Sequence, residues 1–124
     1  MTIMQLDREQ NVGIVIRSIA AGEIHINDQV IDGPVVLTPE EIFADWTPPP
    51  IDELSIADFE PALAIEPEVI LFGTGEVQIF PAIALITDIM RRGVGFEIMA
   101  TPAACRTFNV LAGEGRRVAA ALLL

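Results

Sequence analysis

At 124 residues, 52% of them hydrophobic, the chain is the length of one domain and can bury roughly two-thirds of its unfolded surface, which excludes a disordered polymer. Eighteen carboxylates face seven basic residues, all Arg, for a formal net charge of −11, a balance that repels phosphate backbones and anionic headgroups and excludes nucleic-acid and membrane-surface binding. Mean hydropathy is +0.51, yet the apolar runs at 79–86 and 118–124 fall short of the about 20 residues a spanning helix needs, so no membrane insertion is expected.

The first residues form an N-terminal tail over 1–11, and a single domain is expected over 12–124. No basic stretch leading into a long apolar run marks a signal peptide, and the single cysteine, Cys105, rules out an internal disulfide. A cytoplasmic protein is the expectation. Gly13–Ile19 reads as a strand. Glu23 to Asn27 alternates with period two, placing Ile24 and Ile26 on one face and Glu23, His25 and Asn27 on the other. Asn27-Asp28 and Asp32-Gly33-Pro34 read as turns, 35–37 as a short strand, and 42–43 as an extension of the same meander. Pro48, Pro49 and Pro50 form a stiff crossing into a second half with a different period.

There, Ser55 suits the N-cap of a short helix through about Leu63, with Asp58 in its first turn. Residues 68–72 form an apolar strand covered on both faces, ended by Gly73-Thr74-Gly75. Pro81 opens a helix to Arg92 that is apolar nearly all round and is therefore expected to be mostly buried. Residues 96–99 form the next strand. Thr101 and Pro102 serve as N-cap and first-turn proline of a helix to about Ala112, stopped by Gly113, and 118–124 closes the chain as an apolar strand. Two consecutive strand–helix units place the strands at 69–72 and 96–99 side by side, with their carboxyl ends on one rim.

The stretch VILFGTG at 69–75, then GVGFEIM at 93–99 and TPAACRTFNVLAGEGRRVAAAL at 101–122, resembles the Mth938-domain-like family of unknown function. That family includes a mitochondrial complex I (NADH dehydrogenase alpha subcomplex) assembly factor and an adipogenesis-associated member. The likeness continues through Gly22-Glu23-Ile24, Gly33-Pro34-Val35 and the Trp46 region. It implies an α/β fold of three layers: a central mixed β-sheet, helices on one side and an additional N-terminal antiparallel β layer. Two positions depart from the family pattern. Phe108 stands where members often carry Tyr, and Ala100 where an Asp often precedes the Thr.

The shared rim is the candidate ligand site, made of Gly73, Thr74, Gly75, Thr101, Cys105, Arg106, Asn109 and Arg116. Backbone N–H groups at a helix start beside a glycine loop favour a small anion. The plain structural alternative is that the glycines serve a tight turn and Thr101 only caps. It is no nucleotide fingerprint, since the third glycine and the following acidic residue are missing. Cys105 lies in the first turns of the helix, where a dipole lowers a thiol pKa, and is the one candidate nucleophile; a buried, inert cysteine is the other reading. Arg106 or Arg116 could meet an anion, or could join Glu114 in holding helix to turn. Trp46 is either packed over the sheet or exposed as a partner anchor. With one His and one Cys, no zinc site is expected, and no cofactor is implied. The absent catalytic inventory, the apolar content and the family resemblance together favour a non-enzymatic interaction or assembly protein with a protein partner or as a homodimer. The alternative is a small-anion or small-molecule binding domain, or a minor enzyme, using the rim crevice.

Overall fold

The computed structural model describes residues 13–124; the expected tail at 1–11 lies outside them. Three strands form an antiparallel sheet in chain order: β1 (Ile16–Ala20), β2 (Glu23–Ile26) and β3 (Gln29–Ile31). The alternation in β2 is realised, with Ile24 and Ile26 fully buried and Glu23 turned outward. Gly22 (φ 75°) and Asn27 (φ 50°) take the left-handed conformation their turns require, which costs glycine and asparagine least.

β4 (Val35–Leu37) and β5 (Ile42–Phe43) do not extend that meander as expected. They pair with each other at the edge of a second sheet. All three side chains of β4 are fully buried, so the strand has apolar groups for both of its faces and fits a sheet covered on both sides.

The remaining elements are a 3-10 turn at Ile51–Glu53, another at Ile56–Phe59 running into the single-turn α1 (Glu60–Leu63), then β6 (Val69–Thr74), α2 (Ile83–Met90), β7 (Gly95–Met99), α3 (Thr101–Gly113) and β8 (Val118–Leu123). The helix expected after Ser55 is thus 3-10 in its first half and α in its second. Ser55 still receives its capping carboxylate, its N–H donating to Asp58 Oδ2 at 2.9 Å.

The second sheet runs β5-β4-β8-β6-β7, with β6 parallel to both β7 and β8 and β4 antiparallel to β8. This order decides where the helices go. β6-α2-β7 steps outward by one strand, whereas β7-α3-β8 steps back past β6. Two crossovers of the same right hand but opposite direction must use opposite faces of the sheet. One face accordingly carries α1 and α2 over Ile70, Phe72 and Phe96; the other carries α3 and the three-stranded sheet over Leu71, Ala120 and Leu122. The fold is three layers about a central mixed sheet, with α3 sharing the layer of the small N-terminal sheet.

Trp46 packs rather than projects. It is buried against Phe59 at 5.9 Å between ring centroids, and its Nε1–H donates to Asp58 O at 2.7 Å. The apolar β8 lies inside the sheet between β4 and β6, so Val118–Leu122 is covered within the domain and calls for no outside partner.

One element departs sharply from expectation. α2 starts at Ile83 rather than Pro81 and is not mostly buried. Leu85 and Ile89 alone are fully shielded within it, while Ile83 is 79% and Met90 58% exposed. Only the stripe facing Phe96 and Phe72 is covered, because the fold supplies no second layer beyond α2.

Candidate functional site

The two β-to-α junctions do open on one rim. The Thr101 N–H donates to Gly75 O at 2.8 Å, and the Gly75 N–H donates back to Thr101 Oγ1 at 2.8 Å. The Thr101 hydroxyl in turn donates to Leu123 O at the end of β8. Thr101 therefore does not cap its helix. Ala100 stands at the N-cap, and Thr101, 1% exposed, spends its hydroxyl joining the ends of β6 and β8 to the start of α3.

Gly73 is what allows this approach. A Cβ there would meet Thr101 Oγ1 at 2.8 Å and both Leu122 Cδ2 and Thr101 Cα at 3.0 Å. Gly75, at φ 100°, supplies a turn that L side chains rarely adopt. Thr74 closes the loop on itself: its hydroxyl donates to Val77 O at 2.6 Å and accepts from the Ile79 N–H at 3.0 Å.

The rim thus brings together Gly73, Thr74, Gly75 and Thr101, with polar groups that satisfy one another. Few helix-start donors remain for an anion. The Thr101 N–H is engaged, Pro102 has none, and the Ala104 N–H closes the first turn on Ala100 O, leaving Ala103. A cavity of about 230 Å³ lies beside the junction, lined by Ile19, Gly22, Gly75, Thr101, Pro102 and Leu124.

The other candidates lie elsewhere. Cys105 is buried in the core between α3 and the sheets, among Ile24, Leu71 and Phe108. Burial pushes its thiol up to about 11, against a smaller lowering by Arg106. A thiol held protonated at neutral pH is a poor nucleophile. Arg106 points into solvent. Asn109 bridges α3 to β1, its Oδ1 accepting from the Ile16 N–H at 2.9 Å and its Nδ2 donating to Ile16 O at 2.7 Å. Arg116 sits at the opposite rim, where its guanidinium meets Glu68 Oε1 at 3.0–3.1 Å across the starts of β6 and β8. Its neighbour Arg117 donates to Glu66 O at 2.7 Å. Arg116 thus pairs with Glu68 to join the starts of β6 and β8, rather than with Glu114 to hold helix to turn as expected. Phe108 is fully buried, where a tyrosine hydroxyl would need a partner.

Cys105 gives a two-part expected result. Alkylation by iodoacetamide in the native state should be far slower than for a free thiol and normal in denaturant. The raised folded value also means that the folded form keeps a proton the unfolded chain loses. The associated stability, roughly 2–3 kcal/mol, is fully present below pH 9 and lost as pH rises from 9.0 towards about 11. Denaturant titrations of Cys105→Ala across that range should lack this decline.

Among the described residues, no group of three or more His, Cys, Asp or Glu side chains is gathered to hold a metal ion. None of the described helices is long and apolar enough to cross a membrane.

What the sequence reading missed lies on the other face of the sheet, where Val77 (61% exposed), Phe80 (64%), Ile83 and Met90 all lie exposed between β6 and β7 in the chain. The apolar residues were visible in the sequence. Their outward direction was not, because it depends on which side of α2 the aromatic core occupies.

Comparison with known proteins places the chain. It is 32% identical to the zebrafish (Danio rerio) protein named NADH dehydrogenase [ubiquinone] 1 alpha subcomplex assembly factor 3, over 99% of this chain and 70% of that one. Among solved structures, a Xanthomonas campestris protein superposes with a TM-score of 0.81 at 36% identity, covering 99% of this chain and 92% of the other. A Mth938-like domain from Bordetella pertussis superposes at 0.76 with 25% identity, covering 98% and 92%. The fold is thus Mth938-like, and the family model described as "Protein of unknown function (DUF498/DUF598)" matches residues 16–123, so the chain belongs to that family.

Proposed function

We propose that the protein works by binding other proteins, as an interaction or assembly factor, rather than by catalysis at its rim. The observation that carries this reading is the identity, over nearly the whole chain, to a protein named for assembling a respiratory complex. The geometry supports it from the other side. The polar atoms of the rim are engaged with one another, the single cysteine is buried with a raised pKa, and the sharpest anomaly of the surface is apolar. The rim alternative, a small-anion or small-molecule site, would have to work with the Ala103 N–H and an apolar cavity.

Native mass spectrometry of the protein purified from its own host, untreated and after mild crosslinking, separates the two. The expected result is a defined protein complex containing this chain. A chain that is always recovered alone, carrying a small-molecule adduct, would refute the assembly reading.

A further inference from the structure

Around the axis of α2, successive residues are about 100° apart. Leu85 and Ile89 face the sheet, whereas Ile83, Ala84, Asp88 and Met90 are exposed and Thr87 is half-buried. Asp88 is the one charge among these exposed positions, where an ordinary surface helix turns a largely polar face outward. The preceding segment extends the apolar area. Thr74 fixes its start, Gln78 Nε2 donates to Ile98 O on the edge strand β7 at 2.8 Å, and Val77, Ile79 and Phe80 are left exposed.

The charges in this layer are lopsided. Asp52, Glu53, Glu60, Glu76 and Asp88 are exposed on the 3-10 turns, α1, the 75–82 loop and α2, against Arg91 and Arg92 past the end of α2. The whole chain carries −11. A second copy would therefore bring the same acidic surroundings to the contact and meet repulsion. A surface with an apolar centre and a basic rim would bury these side chains and complement the acidic excess of this layer.

We infer that the outward face of α2, with Val77 and Phe80, is the docking surface for a partner protein presenting apolar side chains rimmed by Lys or Arg. This rests on the interaction reading above and names the chemistry of its partner.

The probe is a synthetic amphipathic helix of roughly 18 residues, Leu on one face and Lys on the other, titrated against the full chain by fluorescence anisotropy. A Leu/Glu peptide of the same pattern is the comparison. The Leu/Lys peptide should bind about ten-fold tighter or more, with affinity falling as salt rises. The double variant Ile83→Glu, Met90→Glu, substituted at exposed positions and checked by circular dichroism, should weaken that binding about ten-fold. Val110→Glu, at an exposed apolar position on α3, should leave it unchanged. Because the double variant adds negative charge, mere adsorption of a cationic peptide would strengthen instead. Equal or tighter binding by the double variant, no preference between the peptides, or no binding at all overturns the inference. So does a dimer in sedimentation equilibrium that the double variant abolishes, which would make the occupant a second copy. The two readings fail separately. If the host complex seen by native mass spectrometry survives the double variant, the surface is wrong and the assembly reading stands; if no such complex exists, the assembly reading itself falls.

Discussion

Thr101→Val is expected to lower stability by roughly 2–6 kcal/mol, from two part-buried backbone groups that lose this partner at about 1–3 kcal/mol each. Valine keeps the volume and β-branching of threonine, so packing against Gly73 and Leu122 is preserved and only the hydroxyl is removed. The Gly75 N–H then has no acceptor and Leu123 O has no hydroxyl donor, both at the crowded ends of β6 and β8. Thr101→Ser keeps both hydrogen bonds and should cost only about 1 kcal/mol for the lost methyl. Urea titrations of the three proteins would check this. A valine variant as stable as the serine variant would mean that the hydroxyl is not what holds the junctions together.

Phe59→Ala is expected to cost roughly 3–5 kcal/mol, at the upper end for single substitutions. Phe59 is fully buried, and three aromatic rings meet it edge-on: Trp46 at 5.9 Å, and Phe72 and Phe96 at 5.5 Å each. Phe72 and Phe96 stack on each other at 5.8 Å on neighbouring strands, so their positions are fixed by the β6–β7 register and cannot collapse into the space left. A residual cavity is therefore expected, and its cost adds to the lost burial. A domain of this size has about 5–15 kcal/mol in hand, so thermal unfolding of Phe59→Ala should shift down by ten degrees or more, roughly. A shift of a few degrees would show that the cluster repacks.

Much of this was legible from residue order. The shared rim followed from two strand–helix units in succession, since a short right-handed crossover leaves its strands as neighbours, and β6 and β7 do pair in parallel. The turn at Asn27-Asp28 was signalled by its residues, and Asn27 takes a positive φ there. What stayed hidden was long-range. Nothing local tells β8 to insert between β4 and β6, and that insertion both covers Leu122 and delivers Leu123 O to the Thr101 hydroxyl. A threonine before a proline reads as a cap by local chemistry; Thr101 became a cross-link because the β8 carbonyl arrives from 22 residues away. α2 was misjudged for a related reason. Composition reports how apolar a helix is, but the number of layers packed on it decides how much is covered, and here only one side is.

The two junctions are clasped through one hydroxyl, that of Thr101. Amide hydrogen exchange at Gly75, followed by NMR, tests the clasp most directly, because that N–H has Thr101 Oγ1 as its acceptor. Gly75 should exchange slowly, like the neighbouring strand β6, and lose that protection in Thr101→Val. Exchange at Gly75 as fast as at exposed Glu76 in the unsubstituted protein would contradict it.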